Sequence, residues 1–193
     1  MNNSRKHIII AGVPRAGKTT LCSYLAQSLK YQHLTMDAIV KGLEVAFPET
    51  GVKHTDCWEF IPTSKQLIAF IKKISSTSNY DKLPYRLAFD MYHITPQEYA
   101  ENINKECCDI YFLGYPNISL EEKYQQIRKY DTIYDWTCQR EENVLKKHIK
   151  DYIEISKWFQ KECEKYELPF VDVSENREER LKELARKIIN IGN

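Results

Sequence analysis

The stretch His7-Ile8-Ile9-Ile10-Ala11-Gly12-Val13-Pro14-Arg15-Ala16-Gly17-Lys18-Thr19-Thr20 decides the fold. Its first half is a short apolar run of strand type, and its second half fits the GxxxxGK(S/T) spacing of a phosphate-binding loop. Glycines let such a loop wrap until successive backbone N–H groups point inward at an anion, while the helix behind it presents the positive end of its dipole. Lys18 is then placed to neutralise the β and γ phosphates of a nucleoside triphosphate, and Thr19 to ligate Mg²⁺. Gly12, Pro14, Arg15, Ala16, Gly17, Lys18, Thr19 and Thr20 are the candidate nucleotide-binding residues. Leu21, Leu25 and Leu29 supply the apolar face of the following helix. A glycine turn that merely joined strand to helix would not need a lysine and a threonine side by side at the helix start.

Working outward, 193 residues suffice for one substantial core, so a single domain is expected. Hydrophobic content of 42%, charged content of 28% and a formal net charge of +1 are ordinary for a soluble globular protein and give no sign of a nucleic-acid-binding surface. The apolar runs are too short to cross a bilayer, and MNNSRKHIIIAG lacks the length and cleavage region of a signal peptide, so a cytoplasmic location is expected. The six cysteines form no CxxC pair and have no histidine at zinc-finger spacing; Cys22 and Cys163 fall on helix faces that turn toward a core.

Strand-like runs at 6–11, 33–36, 85–90, 109–114 and 170–173 alternate with helical patterns, which predicts a parallel sheet covered by helices on both faces. Thr95 to Glu98, Ser119 to Glu122 and Asn176 to Glu179 each place a capping side chain three residues before a glutamate. A long helix is expected over 140–165, with Leu145, Ile149, Tyr152, Phe159 and Cys163 on its buried face. A long excursion at 37–84, holding a helix around 58–74, and a shorter one at 128–139 interrupt the alternation. Such connections at the carboxyl ends of parallel strands form the substrate side of an open sheet.

GVPRAGKTT, the strand-to-helix acid of LTMDAIV, the strand-terminal acid of RLAFD and the late ELPFVDVSENREERL together resemble the P-loop kinases of the adenylate-kinase-like branch. That branch includes nucleoside monophosphate, shikimate and gluconate kinases and chloramphenicol phosphotransferase. The resemblance spans nearly the whole chain and implies a three-layer α/β/α sandwich, a five-stranded parallel sheet in the order 2-3-1-4-5, ATP and Mg²⁺, a substrate-binding excursion at 37–84 and a lid at 128–139. It further implies that lid arginines, by position Arg128 and Arg140, stabilise charge during transfer, and that the segment carrying Ser174 and Asn176 cups the base. Asn176 also reads as a plain helix cap.

Asp37 matches the aspartate that acts as base toward a substrate hydroxyl in chloramphenicol phosphotransferase-like enzymes, although as the residue before a helical pattern it reads equally well as an N-cap. Asp90 ends the third strand; Thr95 already caps the next helix, which leaves Asp90 free to hold a water on Mg²⁺ or to bind the acceptor. Arg15 reaches either phosphates or solvent. Tyr92, His93, Trp58 and Phe60 line the acceptor pocket or belong to the core.

The chain departs from nucleoside monophosphate kinases, having LAFDMYH where they carry a DGFPR-like stretch and Lys41 where they carry an arginine. It also lacks the paired DxD and the glycine triplet of shikimate kinases. The expected activity is ATP-dependent phosphoryl transfer to a small cytosolic molecule, a hydroxyl being favoured over a phosphate. A nucleoside or nucleotide kinase and a non-catalytic nucleotide-dependent binding module are the alternatives.

Overall fold

A computed structural model describes residues 6–77 and 83–191. Five strands, β1 (His7–Gly12), β2 (Tyr31–Thr35), β3 (Arg86–Asp90), β4 (Cys108–Gly114) and β5 (Phe170–Asp172), pair in parallel in the order β2-β3-β1-β4-β5. Among the described residues the α-helices are α1 (Lys18–Gln27), α2 (Met36–Ala46), α3 (Phe60–Ser75), α4 (Pro96–Asn102), α5 (Leu120–Tyr130), α6 (Glu142–Lys165) and α7 (Arg177–Ile191). Helix α1 packs with α7, whereas α6 packs with α4 and α5 and α4 with α3, which makes the two helical layers around the sheet. Every residue of β1 is buried, as a strand covered on both faces requires, which is why it reads as an unbroken apolar run instead of an alternating one.

The register fixes the site. Ile10 pairs with Asp90, Thr35 pairs with Asp90, and Gly12 pairs with Leu113, so β1, β2, β3 and β4 all end at one edge. Turning away from the sheet at that edge, Gly12 adopts φ 128°, and a Cβ there would lie 1.9 Å from the Leu113 carbonyl oxygen. Only glycine fits a backbone passing this close to its neighbour.

Several sequence expectations are revised in detail. Leu21 and Leu25 are buried, but α1 stops at Gln27, and Leu29 sits in a left-handed turn at φ 58° with 85% of its surface exposed. Thr95 and Ser119 accept the Glu98 and Glu122 backbone N–H groups as capping boxes require. Asn176 is instead left-handed, at φ 49°, and its side chain makes no capping bond to Glu179 among the described residues. An N-cap takes extended backbone, so this residue serves as a turn into α7 and not as a cap.

In α6, Leu145, Ile149, Tyr152, Phe159 and Cys163 are all buried, and Cys22 joins them in the core. The connection from β2 to β3 contains α2, two single turns of 3-10 helix at Pro48–Thr50 and Cys57–Glu59, and α3; its residues 78–82 lie outside the described residues, as do residues 1–5 of the amino-terminal stretch. Among the described residues no helix is long and apolar enough to cross a membrane.

Candidate active site

The loop between β1 and α1 is held from outside and open inside. Gly17, at φ 105°, turns the chain into α1; a Cβ there would come within 2.6 Å of the Leu181 side chain and 3.0 Å of Arg177 Nε. The Tyr115 hydroxyl donates to the Pro14 carbonyl at 2.9 Å, and Lys123 Nζ donates to the Arg15 carbonyl at 3.1 Å. Ala16 is fully buried under the turn, with its N–H on the Val13 carbonyl at 3.4 Å. Lys18 curls back to donate to that same Val13 carbonyl at 3.1 Å, a neutral acceptor for a charge that a phosphate would take in preference.

At the start of α1, Thr19 Oγ1 donates to Asp90 Oδ2 at 2.6 Å, and His33 Nε2 lies 3.3 Å from the same oxygen. Burial by itself would raise the Asp90 pKa; the His33 hydrogen bond, the Lys18 charge and the Thr19 hydroxyl outweigh it and hold the carboxyl below its ordinary value. An ionised carboxylate beside a hydroxyl at a phosphate loop is an all-oxygen donor set, which suits a hard cation such as Mg²⁺ that takes one or two protein oxygens plus water and phosphate. Among the described residues no group of three or more His, Cys, Asp or Glu is gathered to hold a metal by itself.

One flank of the loop gathers Arg15, Lys123 and Arg177, in a cleft that Glu122, Asp135, Glu175, Glu178 and Glu179 also line. An open cleft of about 1230 Å³ runs from Lys18, Thr19 and Thr20 past Lys123 to Ser174, Asn176 and Arg177. Lys123 is 2% exposed and stacks 3.9 Å above the Tyr115 ring centroid. Its burial, and then the charges of Arg177 and Arg15, push its ammonium down to about 7 against a partial offset from the ring face below it. Arg177 Nη2 lies 3.4 Å from Thr20 Oγ1, while its buried Nε has no partner. Ser174 accepts the Asn117 N–H at 3.0 Å and donates its own N–H to Asp172 at 2.8 Å, so the strand-end turn that carries it is fixed.

Arg15 points neither at open solvent nor inward. Its guanidinium forks across Asp131 and Asp135 in the segment between α5 and α6, at 2.7 and 2.5 Å. Thr137 Oγ1 donates to the same Asp131 oxygen, whose side chain is 4% exposed. Arg128 donates to the carbonyls of Thr137, Cys138 and Arg140 at 3.0, 3.1 and 2.6 Å, so its charge is spent on the backbone of this segment. Arg140 is exposed, with its guanidinium 5.9 Å from the Trp136 ring. The structure thus brings Lys18, Thr19, Thr20, Arg15, Ser174 and Asn176 to one cleft, and gathers Arg128 and Arg140 around the 131–141 backbone.

The opposite flank is acidic and imidazole-rich. Asp37 lies in the first turn of α2, one residue inside its start; the N-cap is Thr35, without a side-chain cap bond. The capping alternative for Asp37 is therefore corrected, although an acid in the first turn still complements the helix dipole. Its carboxylate is half-exposed and stands 3.8 Å from His93 Nδ1. Of the aromatic candidates for this side, Phe60 and Tyr92 are core residues stacked at 4.6 Å, and Trp58 is partly exposed.

His33, Lys123, Arg177, Asp131 and Asp135 join the site without having been singled out in the sequence. A signal for Lys123 is present: with Ile127 it occupies the buried stripe of α5, a position where periodicity calls for an apolar side chain. His33 shares a strand face with Thr35, and only the register with Asp90 reveals its partner.

These features place the chain in a known architecture. It has the P-loop fold of small-molecule kinases, with the sheet order and loop position that the sequence resemblance implied. A gluconokinase from Sinorhizobium meliloti 1021 is similar with a TM-score of 0.57 at 13% identity, covering 98% of this chain and 94% of that one. A shikimate kinase from Acinetobacter baumannii, in complex with shikimate, gives 0.50 at 17% identity over 98% of this chain and 93% of that one. The YorR protein of Bacillus subtilis, in complex with phosphorylated GDP, gives 0.50 at 13% identity over 95% and 94%. No family model and no curated protein sequence matches the chain.

Proposed function

We propose that this protein is an ATP-dependent phosphotransferase that moves the γ-phosphate to a hydroxyl of a small cytosolic molecule. The observation that carries the reading is the opposition of charge across one loop: Arg15, Lys123 and Arg177 on one flank, Asp37 and Asp90 on the other, with Lys18 between them. The polyanionic donor belongs on the first flank, its base toward Ser174 and Asn176. The acceptor belongs at the carboxyl end of β2 beside Asp37, where an acid favours an alcohol proton and opposes a second phosphate. In this reading Lys18 stabilises charge on the transferring group, and Asp37 orients and deprotonates the hydroxyl. Thr19 directly and Asp90 through water would hold Mg²⁺, which supplies charge neutralisation on the phosphates. The connection at 37–84 forms the acceptor wall, and the segment at 128–139 acts as a lid, its loop shaped by Arg128 and its outer face by Arg140.

Fold likeness to gluconokinase and shikimate kinase structures supports the kinase class, both being named for acceptors that carry hydroxyls. The test is transfer of labelled γ-phosphate from ATP into fractionated cytosolic metabolites, nucleosides and nucleotides, with Lys18→Ala alongside. A labelled product absent from the variant is expected. Label confined to nucleosides or nucleoside monophosphates would make the protein a nucleotide-pathway kinase instead.

A second reading rests on the Arg15 fork. It ties the nucleotide loop to a segment whose Ile133 and Tyr134 are 75% and 91% exposed, a suitable arrangement for a nucleotide-dependent binding module. A lasting one-to-one ATP complex without turnover in any fraction would favour it.

A further inference from the structure

His93 is 1% exposed and sits three residues beyond Asp90, pinned between β3 and α4. Its ring packs against Tyr92 at 5.4 Å and against His54 at 5.6 Å. The Thr55 backbone N–H points at its Nε2 at 3.5 Å. That N–H is rigidly presented, because the neighbouring Lys53 exchanges hydrogen bonds with Thr63 of α3 and the His54 N–H donates to Glu44 of α2. A nitrogen that faces a donor must carry a lone pair, so a neutral imidazole here holds its proton on Nδ1. Neutrality is favoured by burial first; the Asp37 carboxylate and the Thr55 backbone oppose it, the His54 and Lys18 charges reinforce it, and the pKa comes down to about 4.

Nδ1 is buried and has no hydrogen-bond partner. The carboxylate facing it is that of Asp37, with Oδ1 3.8 Å away, beyond hydrogen-bond reach. An orphaned buried donor is costly, and the two partners differ in freedom: the imidazole is locked, whereas the carboxylate is half-exposed on the first turn of α2 and can rotate.

We propose that His93 is the positioning residue for Asp37: its Nδ1–H donates to one carboxylate oxygen when substrates are bound and leaves the other aimed at the acceptor hydroxyl. This rests on Asp37 being the base. The orienting hydrogen bond tightens in the substrate complex, as catalytic contacts that are long in the free enzyme commonly do. His93 itself takes no proton from substrate; the hydroxyl proton goes to Asp37.

The full-length protein labelled with ¹⁵N-histidine tests this directly, with a Mg²⁺ complex of a non-hydrolysable ATP analogue as the probe. The expected spectrum has His93 protonated at Nδ1 and bare at Nε2 near neutral pH, with an Nδ1 proton signal that moves in Asp37→Asn. An Nε2–H tautomer, or a signal indifferent to Asp37→Asn, overturns the proposal. In the transfer assay, His93→Phe is expected to lower turnover about tenfold or more without changing the Michaelis constant for ATP. His93→Asn, whose amide N–H stands in for Nδ1–H, should restore most of it. Combined with Asp37→Asn, His93→Phe should cost little further. An equal further loss in that background places its effect elsewhere and overturns the proposal. A slow Asp37→Asn enzyme beside an unimpaired His93→Phe enzyme overturns the positioning alone; an Asp37→Asn enzyme at full rate removes the base and the positioning together.

Discussion

The two flanks of the phosphate loop spend their buried polar groups in opposite ways. On the cleft side, Lys123 is buried with its hydrogen bond on a neutral carbonyl, Arg177 is half-buried against the Thr20 hydroxyl, and Arg15 is drawn off to Asp131 and Asp135. On the β2–β3 side, Thr19 and His33 both engage Oδ2 of Asp90, while Asp37 and His93 stand just beyond hydrogen-bond distance. Uncompensated buried charge is expensive, so the cleft side gains most when an anion arrives. The acidic flank holds an unmade contact at the Asp37–His93 pair.

The strongest way to break this contrast is at its centre. Lys18→Ala should lower transfer about 10²–10³-fold with little change in melting temperature, since its hydrogen bond goes to the single Val13 carbonyl; transfer near the wild-type rate would undo the loop assignment. Asp90→Asn should keep the Thr19 contact yet raise the Mg²⁺ concentration needed for half-maximal transfer about 10–100-fold, measured by metal titration. An unchanged requirement would reduce Asp90 to a structural acceptor for Thr19 and His33.

Arg15→Gln probes the tie between the loop and the segment that joins α5 to α6. It leaves the Asp131 carboxylate buried with the Thr137 hydroxyl and Arg128 at 3.9 Å, so a loss of about 1–3 kcal/mol is expected in denaturant melts, with faster proteolytic cutting within 131–141. Unaltered cutting would mean that the segment is held by Arg128 alone.

The smallest effect is the most specific to the cleft side. Because Lys123 sits near 7 in the free protein, a nucleotide anion should restore its proton, so ATP binding above neutral pH takes up a proton that Lys123→Met abolishes. Calorimetry in buffers of different ionisation enthalpy measures it; equal uptake in both proteins would exclude Lys123. Stability has a definite sign too. The unfolded chain holds this proton up to about pH 10.4 and the folded chain only to about 7, so the Lys123 contribution to stability grows as pH rises between those values.

Much of this was written in the chain. The loop could be read because its chemistry is local: glycine spacing, an apolar strand in front and a helix behind all lie within twenty-odd residues, and β1 is apolar throughout because both its faces are covered. The Thr95 and Ser119 caps and the α6 stripe were legible for the same reason, each being a repeat or a bond across three or four residues. The turn at Leu29 escaped, because where α1 stops is decided by the left-handed backbone that leads into β2 and not by the apolar period. The Asn176 turn escaped because its conformation is set where α7 meets the loop through Arg177 and Leu181. What only the tertiary structure decided is who faces whom across long separations: Arg15 with Asp131 and Asp135, Lys123 with the Arg15 carbonyl, Asp90 with His33 and Thr19, His93 with Asp37. Such pairings depend on strand register and helix rotation. A one-residue slip in β2 would turn His33 to the other face, and nothing within the sequence of β2 alone forbids it.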